Sequence, residues 1–154
     1  MSGIGLFVLA CVFGSVIIVE AQNREPVQIL TSEMHWLQNP ALPAGGLLTV
    51  VVGAPLKPER YLFRLSFPKG YEVMPHSHPE ERIYTVLEGS FEIGIGEKFE
   101  LRKLKSLPPG AVFVLPANVR HFHAARSGPA IVQVSGTGPT ATIYVDPAHD
   151  PRQR

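Results

Sequence analysis

The sequence predicts an all-β fold, a single barrel or sandwich of short strands, from three observations. The chain has 154 residues, which is the length of one domain. Hydrophobic residues make up 45% and charged residues 18% of it, a composition that supports a packed core. Short β-rich segments, each bounded by Gly, Pro or Asn, follow one another from residue 61 onward.

The predicted strands fall into two parts of the chain. A Pro-rich, irregular arm over residues 22–60 is expected to pack on the body and to contain strands at 27–30 and 47–52, with residues 31–37 helical. The body, residues 61–146, is predicted to have strands at 61–67, 82–87, 90–94, 99–104, 111–115, 119–123, 130–135 and 142–145. Residues 147–154 are expected to form a tail on the surface.

The first 21 residues have the features of an export signal. An apolar run from Ile4 to Val19 is followed by Ala21, which ends a small-x-small pattern and predicts cleavage after Ala21. The segment before the run lacks Lys and Arg, so an uncleaved membrane anchor is the alternative, although the run is shorter than the roughly 20 residues that span a bilayer. We therefore expect an exported protein, periplasmic or secreted. Cys11, the only cysteine, would leave with the signal.

The charge distribution argues against a nucleic-acid partner. The formal net charge is +1, and the densest basic stretch, residues 102–105, has no interleaved aromatic residues for base stacking. No membrane contact beyond the signal segment is expected either.

Four of the six histidines form two His-x-His pairs, His76 with His78 and His121 with His123. Residues i and i+2 of a strand point to the same face, so both imidazoles of a pair can reach one metal ion. A buried, hydrogen-bonded histidine cluster without metal is the alternative. His35 and His149 lie outside these pairs and are expected on the surface.

The residues around these pairs resemble the two motifs of the cupin superfamily. The first motif, G-x5-H-x-H-x3,4-E-x6-G, is matched by Gly70, His76, His78 and Gly89, and the second, G-x5-P-x-G-x2-H-x3-N, by Gly110, Pro116 and His121. The resemblance covers roughly residues 60–146 and is to small single-domain bacterial cupins. It implies a single cupin-type (RmlC-like) jelly-roll β-barrel with one divalent transition metal (Fe, Mn, Ni, Cu or Zn) in its mouth, held by His76, His78 and His121.

The chain departs from the family at the glutamate of the first motif, where it has Arg82. Strand parity puts Arg82 and Tyr84 on the inner face and Glu81 on the outer face. A β-bulge could return Glu81 to the metal, and a tight turn after Pro79 could do the same for Glu80. A fourth ligand from Glu81 and an open three-histidine site therefore both remain possible.

The resemblance and the residue types suggest roles for further side chains. Arg82 is expected to orient an anionic substrate, and Tyr84 or His123 to handle protons. Arg64 and Gln133 would bind substrate if they point into the barrel, and the alternative is exposure to solvent on an edge strand.

The expected function is that of an exported, metal-dependent enzyme, an oxygenase or an isomerase/lyase acting on a small polar or anionic molecule. A non-catalytic ligand-binding module is the first alternative. A structural dimer with a vestigial site is the second, and a homodimer is expected in any case.

Overall fold

The computed structural model describes residues 25–153, so the predicted signal segment and its cleavage site lie outside the described residues. The described part has eleven strands and four short 3-10 helices. The strands are β1 (Leu37–Gln38), β2 (Leu47–Val52), β3 (Arg60–Phe67), β4 (Tyr71–Ser77), β5 (Arg82–Gly89), β6 (Phe91–Ile95), β7 (Lys105–Leu107), β8 (Val112–Leu115), β9 (His121–Ala125), β10 (Ala130–Thr137) and β11 (Ile143–Tyr144). The 3-10 helices are Thr31–Glu33, Leu101–Lys103, Pro147–His149 and Pro151–Gln153.

The strands form two antiparallel sheets. One has six strands in the order β1-β2-β3-β10-β5-β8, and the other has five in the order β11-β4-β9-β6-β7. Strands that are neighbours in space are often distant in sequence, as in the pairing of β10 with both β3 and β5. This is a jelly-roll arrangement, and it confirms the predicted all-β fold class.

The core lies between the two sheets and is built from alternate strand positions. Tyr61, Phe63, Leu65 and Phe67 of β3 are all buried, whereas the residues between them are only half-buried. The same alternation on β5 and β10 buries Tyr84, Val86, Val132 and Val134. Because successive side chains point to opposite faces of a strand, this pattern fixes which face is the inner one.

The N-terminal arm is partly built into the six-stranded sheet. The predicted strand at 47–52 is β2, which pairs with β3 on one side and with the two-residue strand β1 on the other. Two tyrosines of the barrel fix the segment between β1 and β2. The hydroxyl groups of Tyr71 and Tyr144 donate to the carbonyl oxygens of Pro43 and Ala41, at 2.5 and 3.0 Å. The domain boundaries suggested at residues 60 and 146 stay predictions.

Two predicted strands are wrong and three strands were missed. Residues 27–30 form no strand. Residues 99–104 contain the 3-10 helix Leu101–Lys103 in place of a strand, because this segment crosses the outside of the five-stranded sheet and lays the Phe99 ring on Phe122, 5.0 Å between centroids. The missed strands are the short β1 and β7, and β4, which carries His76.

Of the residues predicted to be helical, only 31–33 form a 3-10 helix. In the described range 25–153, no helix has both the length and the apolar character needed to cross a bilayer.

Candidate metal centre

A β-bulge in β4 turns the first histidine pair into the barrel. Val73 pairs with His123 of β9 and His76 pairs with His121, so β4 uses three residues where β9 uses two. The extra residue reverses the strand parity between Val73 and His76, and Pro75 lies within this irregular stretch. His76 and His78 therefore share the inner face with Val73.

All four histidines of the two pairs are buried between the sheets. The exposed fractions are 1% for His76, 3% for His78, 0% for His121 and 2% for His123. The ring centroids of His76, His78 and His121 lie 4.2 to 5.1 Å apart. Each of these three rings offers a nitrogen within 4.8 Å of the nitrogens of the other two.

Backbone carbonyl groups orient the three rings. The Nδ1 atoms of His76, His78 and His121 lie 2.7, 2.7 and 3.1 Å from the carbonyl oxygens of Met74, Ala141 and Val119, respectively. A carbonyl oxygen can only accept, so each Nδ1 carries the proton and donates it. In the neutral ring the opposite nitrogen, Nε2, is then an unprotonated lone-pair donor.

Burial keeps these rings neutral. Loss of hydration lowers the pKa of His121 from 6.5 to about 4, and the charge of Arg82 acts in the same direction. Burial is also the main cause that lowers the pKa values of His76 and His78, followed for His76 by the neighbouring His121 and for His78 by Arg82. Neutral imidazole is the form that binds metal ions.

The donor set fits a divalent transition metal. The Nε2 atoms of His78 and His121 are buried without a hydrogen-bond partner among the described residues, and such atoms are costly unless something occupies them. Fixing of Nδ1 by a carbonyl group, with Nε2 left free, is the usual arrangement of a metal-binding histidine. Three imidazoles suit Fe, Mn, Ni, Cu or Zn and leave coordination positions open.

His123 lies against this group and differs from it. Its Nε2 is 3.2 Å from Nε2 of His76, and it is the donor of the pair because the His76 proton is on Nδ1. Its own Nδ1 is buried without a partner among the described residues. The ring contacts Phe67 and Phe91, with centroids 5.8 and 5.3 Å away. A metal on Nε2 of His76 would use the lone pair that accepts this hydrogen bond.

The structure does not bring Glu81 to the histidines. Its side chain is exposed, on the outer face that strand parity suggested, and it is not part of the three-histidine group. The bulge lies before His76 rather than after His78, so it does not change the face of Glu81. Ligation by Glu81 stays a prediction that this placement does not support.

Arg82 is buried beside the histidines, but its charge is already paired. Its Nε lies 2.7 Å from Oε1 of Glu80, and the two side chains are 6% and 10% exposed. The same oxygen accepts from the hydroxyl groups of Tyr61 and Thr140, at 2.8 and 2.5 Å, and Arg82 also donates to the Thr140 hydroxyl. The positive charge of Arg82 is therefore already neutralised by Glu80. Its role in orienting an anionic substrate stays a prediction.

Glu80, Tyr61 and Thr140 are functional candidates that the sequence analysis did not assign. Burial works to raise the pKa of Glu80, but the charge of Arg82 and the three hydrogen bonds outweigh it and hold the pKa below its usual value. The alternation of inner residues from His76 through His78 to Arg82 also includes Glu80 and could have indicated it. Thr140 follows β10 and reaches the site only through the fold.

Tyr84 lies at the inner end of the site. It is 1% exposed, and its ring centroid is 6.4 Å from those of both His121 and His123. Burial raises the pKa of its hydroxyl group, against the opposing charge of Arg82. The hydroxyl group thus stays protonated, which is compatible with the predicted proton-handling role but does not test it.

Arg64 and Gln133 lie outside the site. They are paired across β3 and β10, with 3.3 Å between Nε of Arg64 and Oε1 of Gln133. Both alternate with buried core residues and so face the outer side of the six-stranded sheet, where Met34 of the arm contacts Arg64. These are central strands rather than an edge, and the placement does not support a role in substrate binding.

A cavity of about 490 Å³ leads to the histidines. This volume is within the range of small-molecule sites, about 300–1,000 Å³. Three separate parts of the chain surround it: the arm from Leu37 to Leu56, the inner faces of β3, β4, β5 and β9, and the segment from Thr140 onward. Its polar end is lined by His76, His78, Arg82, Tyr84, His123 and Thr140.

Comparisons with known proteins agree with this architecture. Residues 63–135 match the family described as "Cupin domain". No curated protein sequence matches the chain significantly.

Solved structures with this fold include several enzymes. The polyketide cyclase RemF from Streptomyces resistomycificus has a TM-score of 0.67 at 15% identity, over 84% of this chain and 92% of its own. The DMSP lyase DddQ from Ruegeria pomeroyi DSS-3 has a TM-score of 0.59 at 21% identity, over 73% of this chain and 61% of its own. Salicylate 1,2-dioxygenase from Pseudoaminobacter salicylatoxidans has a TM-score of 0.54 at 18% identity, over 67% of this chain and 30% of its own. At these identities the likeness concerns the fold alone.

The predicted family is thus confirmed by a direct match and by the topology of the two sheets. Residues 63–135 of the chain form a cupin domain.

Proposed function

We propose that this chain binds one divalent transition metal through Nε2 of His76, His78 and His121, and acts on a small molecule at the open coordination positions. The observation that carries the proposal is the shared orientation of the three rings. Each Nδ1 donates to a backbone carbonyl group, each Nε2 is left as a free or exchangeable lone pair, and the three rings offer nitrogens within 4.8 Å of one another. A bound metal would supply Lewis acidity and a site for an oxygen donor of the substrate.

The residues around the metal position have distinct tasks in this proposal. Tyr84 holds a hydroxyl proton next to the histidines, and His123 has an unprotonated, buried Nδ1 that can take one up. The Arg82–Glu80 pair holds one edge of the cavity in place. The reaction is an oxygenation or an isomerisation/lyase reaction, a choice supported by the lyase, cyclase and dioxygenase with this fold. Fold likeness alone does not select among them.

Export and assembly belong to the same proposal. The apolar run from Ile4 to Val19, followed by Ala21, supports an exported form that is periplasmic or secreted. A homodimer is proposed as the assembly. Edman sequencing of the exported protein, with residue 22 expected first, and sedimentation analysis would test these two points.

Metal analysis tests the ligand set. The purified protein is reconstituted in turn with Fe, Mn, Ni, Cu and Zn, beside His76→Ala, His121→Ala and the control His35→Ala, whose histidine is exposed and outside the cluster. We expect about one ion per chain in the wild type and in the control, and loss in the other two variants. Metal bound equally by all four proteins, or by none, would contradict the proposal.

Turnover tests the catalytic part. The loaded protein is incubated with candidate substrates, with and without dioxygen, and both oxygen uptake and products are measured. Activity that disappears on metal removal is expected. A ligand that binds to the metal and is recovered unchanged would instead favour a non-catalytic binding module.

A further inference from the structure

The cavity that reaches the histidines has a mostly apolar lining away from them. Away from the metal position, its deep wall consists of apolar side chains of the arm and of β3: Leu42, Leu48, Phe63 and Leu65. Leu42, Phe63 and Leu65 are 6%, 3% and 4% exposed, so they form a firm surface within the core. A ligand in this cavity therefore meets hydrocarbon over most of its length.

The outer rim of the cavity is apolar as well, but exposed. Leu37 is 68% exposed, Leu56 is 79% exposed and Val50 is 47% exposed, and all three line the opening. They come from separate parts of the arm and surround one mouth. A contiguous set of exposed apolar side chains at the entrance of a cavity marks a binding surface, because covering it removes apolar area from water.

The charges in and around the cavity are compensated. Arg82 is paired with Glu80 at 2.7 Å, and Arg152, which also lines the cavity, is paired with Asp150 at 2.7 Å. The histidines are neutral for the reasons given above. Among the described residues that line the cavity there is no carboxylate, and both guanidinium groups are paired. The one strong electrostatic attraction would be the metal itself.

From this arrangement we propose that the ligand is an amphipathic small molecule. One end carries oxygen donors that bind the metal, and the remainder is an uncharged apolar body, such as an aromatic or alicyclic ring, held by the arm. The proposal rests on the proposed metal function and narrows its substrate class. It adds an apolar body to the small polar or anionic molecule that the sequence alone suggested.

Two hydroxamates with the same metal-binding head test the apolar body. Acetohydroxamate carries a methyl group and benzohydroxamate carries a phenyl ring, and their binding to the zinc-loaded full-length protein is measured by calorimetry. We expect benzohydroxamate to bind roughly tenfold or more tightly, because the ring is buried against the apolar wall. Both bind only when zinc is present.

The rim is tested by the double variant Leu37→Gln/Leu56→Gln, with Leu101→Gln as the matched control. Leu101 is 56% exposed and does not line the cavity. The double variant should lower the ratio of the two affinities at least roughly threefold while acetohydroxamate binds as before. The control should leave the ratio unchanged.

The outcomes separate this inference from the function on which it rests. If zinc does not bind, both the proposed metal function and the apolar-body inference are overturned. If zinc and acetohydroxamate bind but benzohydroxamate gains nothing, only the apolar-body inference is overturned. It is also overturned if the double variant changes the oligomeric state by sedimentation and not the affinity ratio, since the rim would then be an interface between two copies of the chain.

Discussion

Individual side chains decide the chemistry of this molecule through the hydrogen bonds that orient them. His76, His78 and His121 each use Nδ1 to reach a carbonyl oxygen, which leaves Nε2 for another partner. At His76 that partner is His123. Three rings are therefore oriented in a way that is compatible with metal binding, and a fourth donates to one of them.

Replacement of His123 by leucine tests this division of roles. His123→Leu removes the donor that competes for Nε2 of His76, so the variant should retain its metal. The affinity is expected to rise roughly fivefold, equivalent to the net worth of one hydrogen bond, about 1 kcal/mol. Competition with a chromogenic chelator measures it. A loss of metal comparable to that of His76→Ala would instead make His123 a ligand.

Sequence reasoning succeeded where local rules decide and failed where distant pairing does. The convergence of His76, His78 and His121 follows from period-2 alternation and motif spacing, which are local. The partners of Arg82 were not predicted, because Thr140 and Glu80 are 60 positions apart in the chain and meet only through the fold. Arg64 and Gln133 were assigned a possible inner position, but they alternate with the buried residues of β3 and β10 and therefore face outward.

Strand pairing sets the geometry in which those side chains meet. β4 pairs with β9 from Tyr71–Ala125 to His76–His121, which is five residue steps on β4 and four on β9. The extra residue of β4 forms the bulge between Val73 and His76. It reverses parity in mid-strand, so period-2 reasoning over residues 71–77 gives no clean strand signal there. The strand that carries His76 was missed for this reason.

An ion pair fixes β9 to its other neighbour, β6. Glu92 of β6 accepts from the backbone N–H, Nε and Nη2 of Arg126, which directly follows β9, at 3.3, 3.0 and 3.1 Å. The hydrogen bonds from Arg126 outweigh the smaller effect of burial and lower the pKa of Glu92 below 4.5. A carboxyl group whose pKa is lower in the folded state than in the unfolded state stabilises the fold at pH values above its unfolded-state pKa. This stabilisation is lost as the pH falls through the folded-state pKa.

The variant Glu92→Gln should consequently be less stable than the wild type at neutral pH, because the glutamine cannot accept the same charged hydrogen bonds. The difference should shrink as the pH falls below 4.5, where the wild-type carboxyl group becomes protonated. Urea unfolding at a series of pH values measures it. The control Glu97→Gln disrupts an exposed pair with Arg120 and should change stability little. A difference for Glu92→Gln that is independent of pH would contradict this account.

At the scale of the whole molecule, the site is completed by parts of the chain that are far apart in sequence. The barrel provides the histidines, while the arm and the segment after β10 close the cavity around them. The arm was expected only to pack on the barrel, and its contribution to the cavity wall is what the structure adds. Tyr71 and Tyr144 fix the arm to the barrel by hydrogen bonds to the carbonyl oxygens of Pro43 and Ala41.

Removal of one of these ties should loosen the arm without unfolding the barrel. Tyr144→Phe deletes the hydrogen bond to the carbonyl oxygen of Ala41, worth about 1 kcal/mol. The amide of Leu42, which donates within the arm to Asn39, should then exchange with solvent roughly fivefold faster. Hydrogen exchange of Val132 in the core should be unchanged. Equal acceleration at both amides would mean that the barrel as a whole is destabilised.

The central claim is that three imidazoles, and no carboxylate of the first motif, bind the metal. X-ray absorption at the metal edge of the zinc-loaded protein tests it most directly, because imidazole gives a characteristic outer-shell scattering pattern. We predict three imidazole nitrogens at about 2.0–2.1 Å in the wild type, and a Glu81→Gln spectrum that is indistinguishable from that of the wild type. A zinc shell without imidazole scattering, or one that loses an oxygen ligand in Glu81→Gln, would contradict the account.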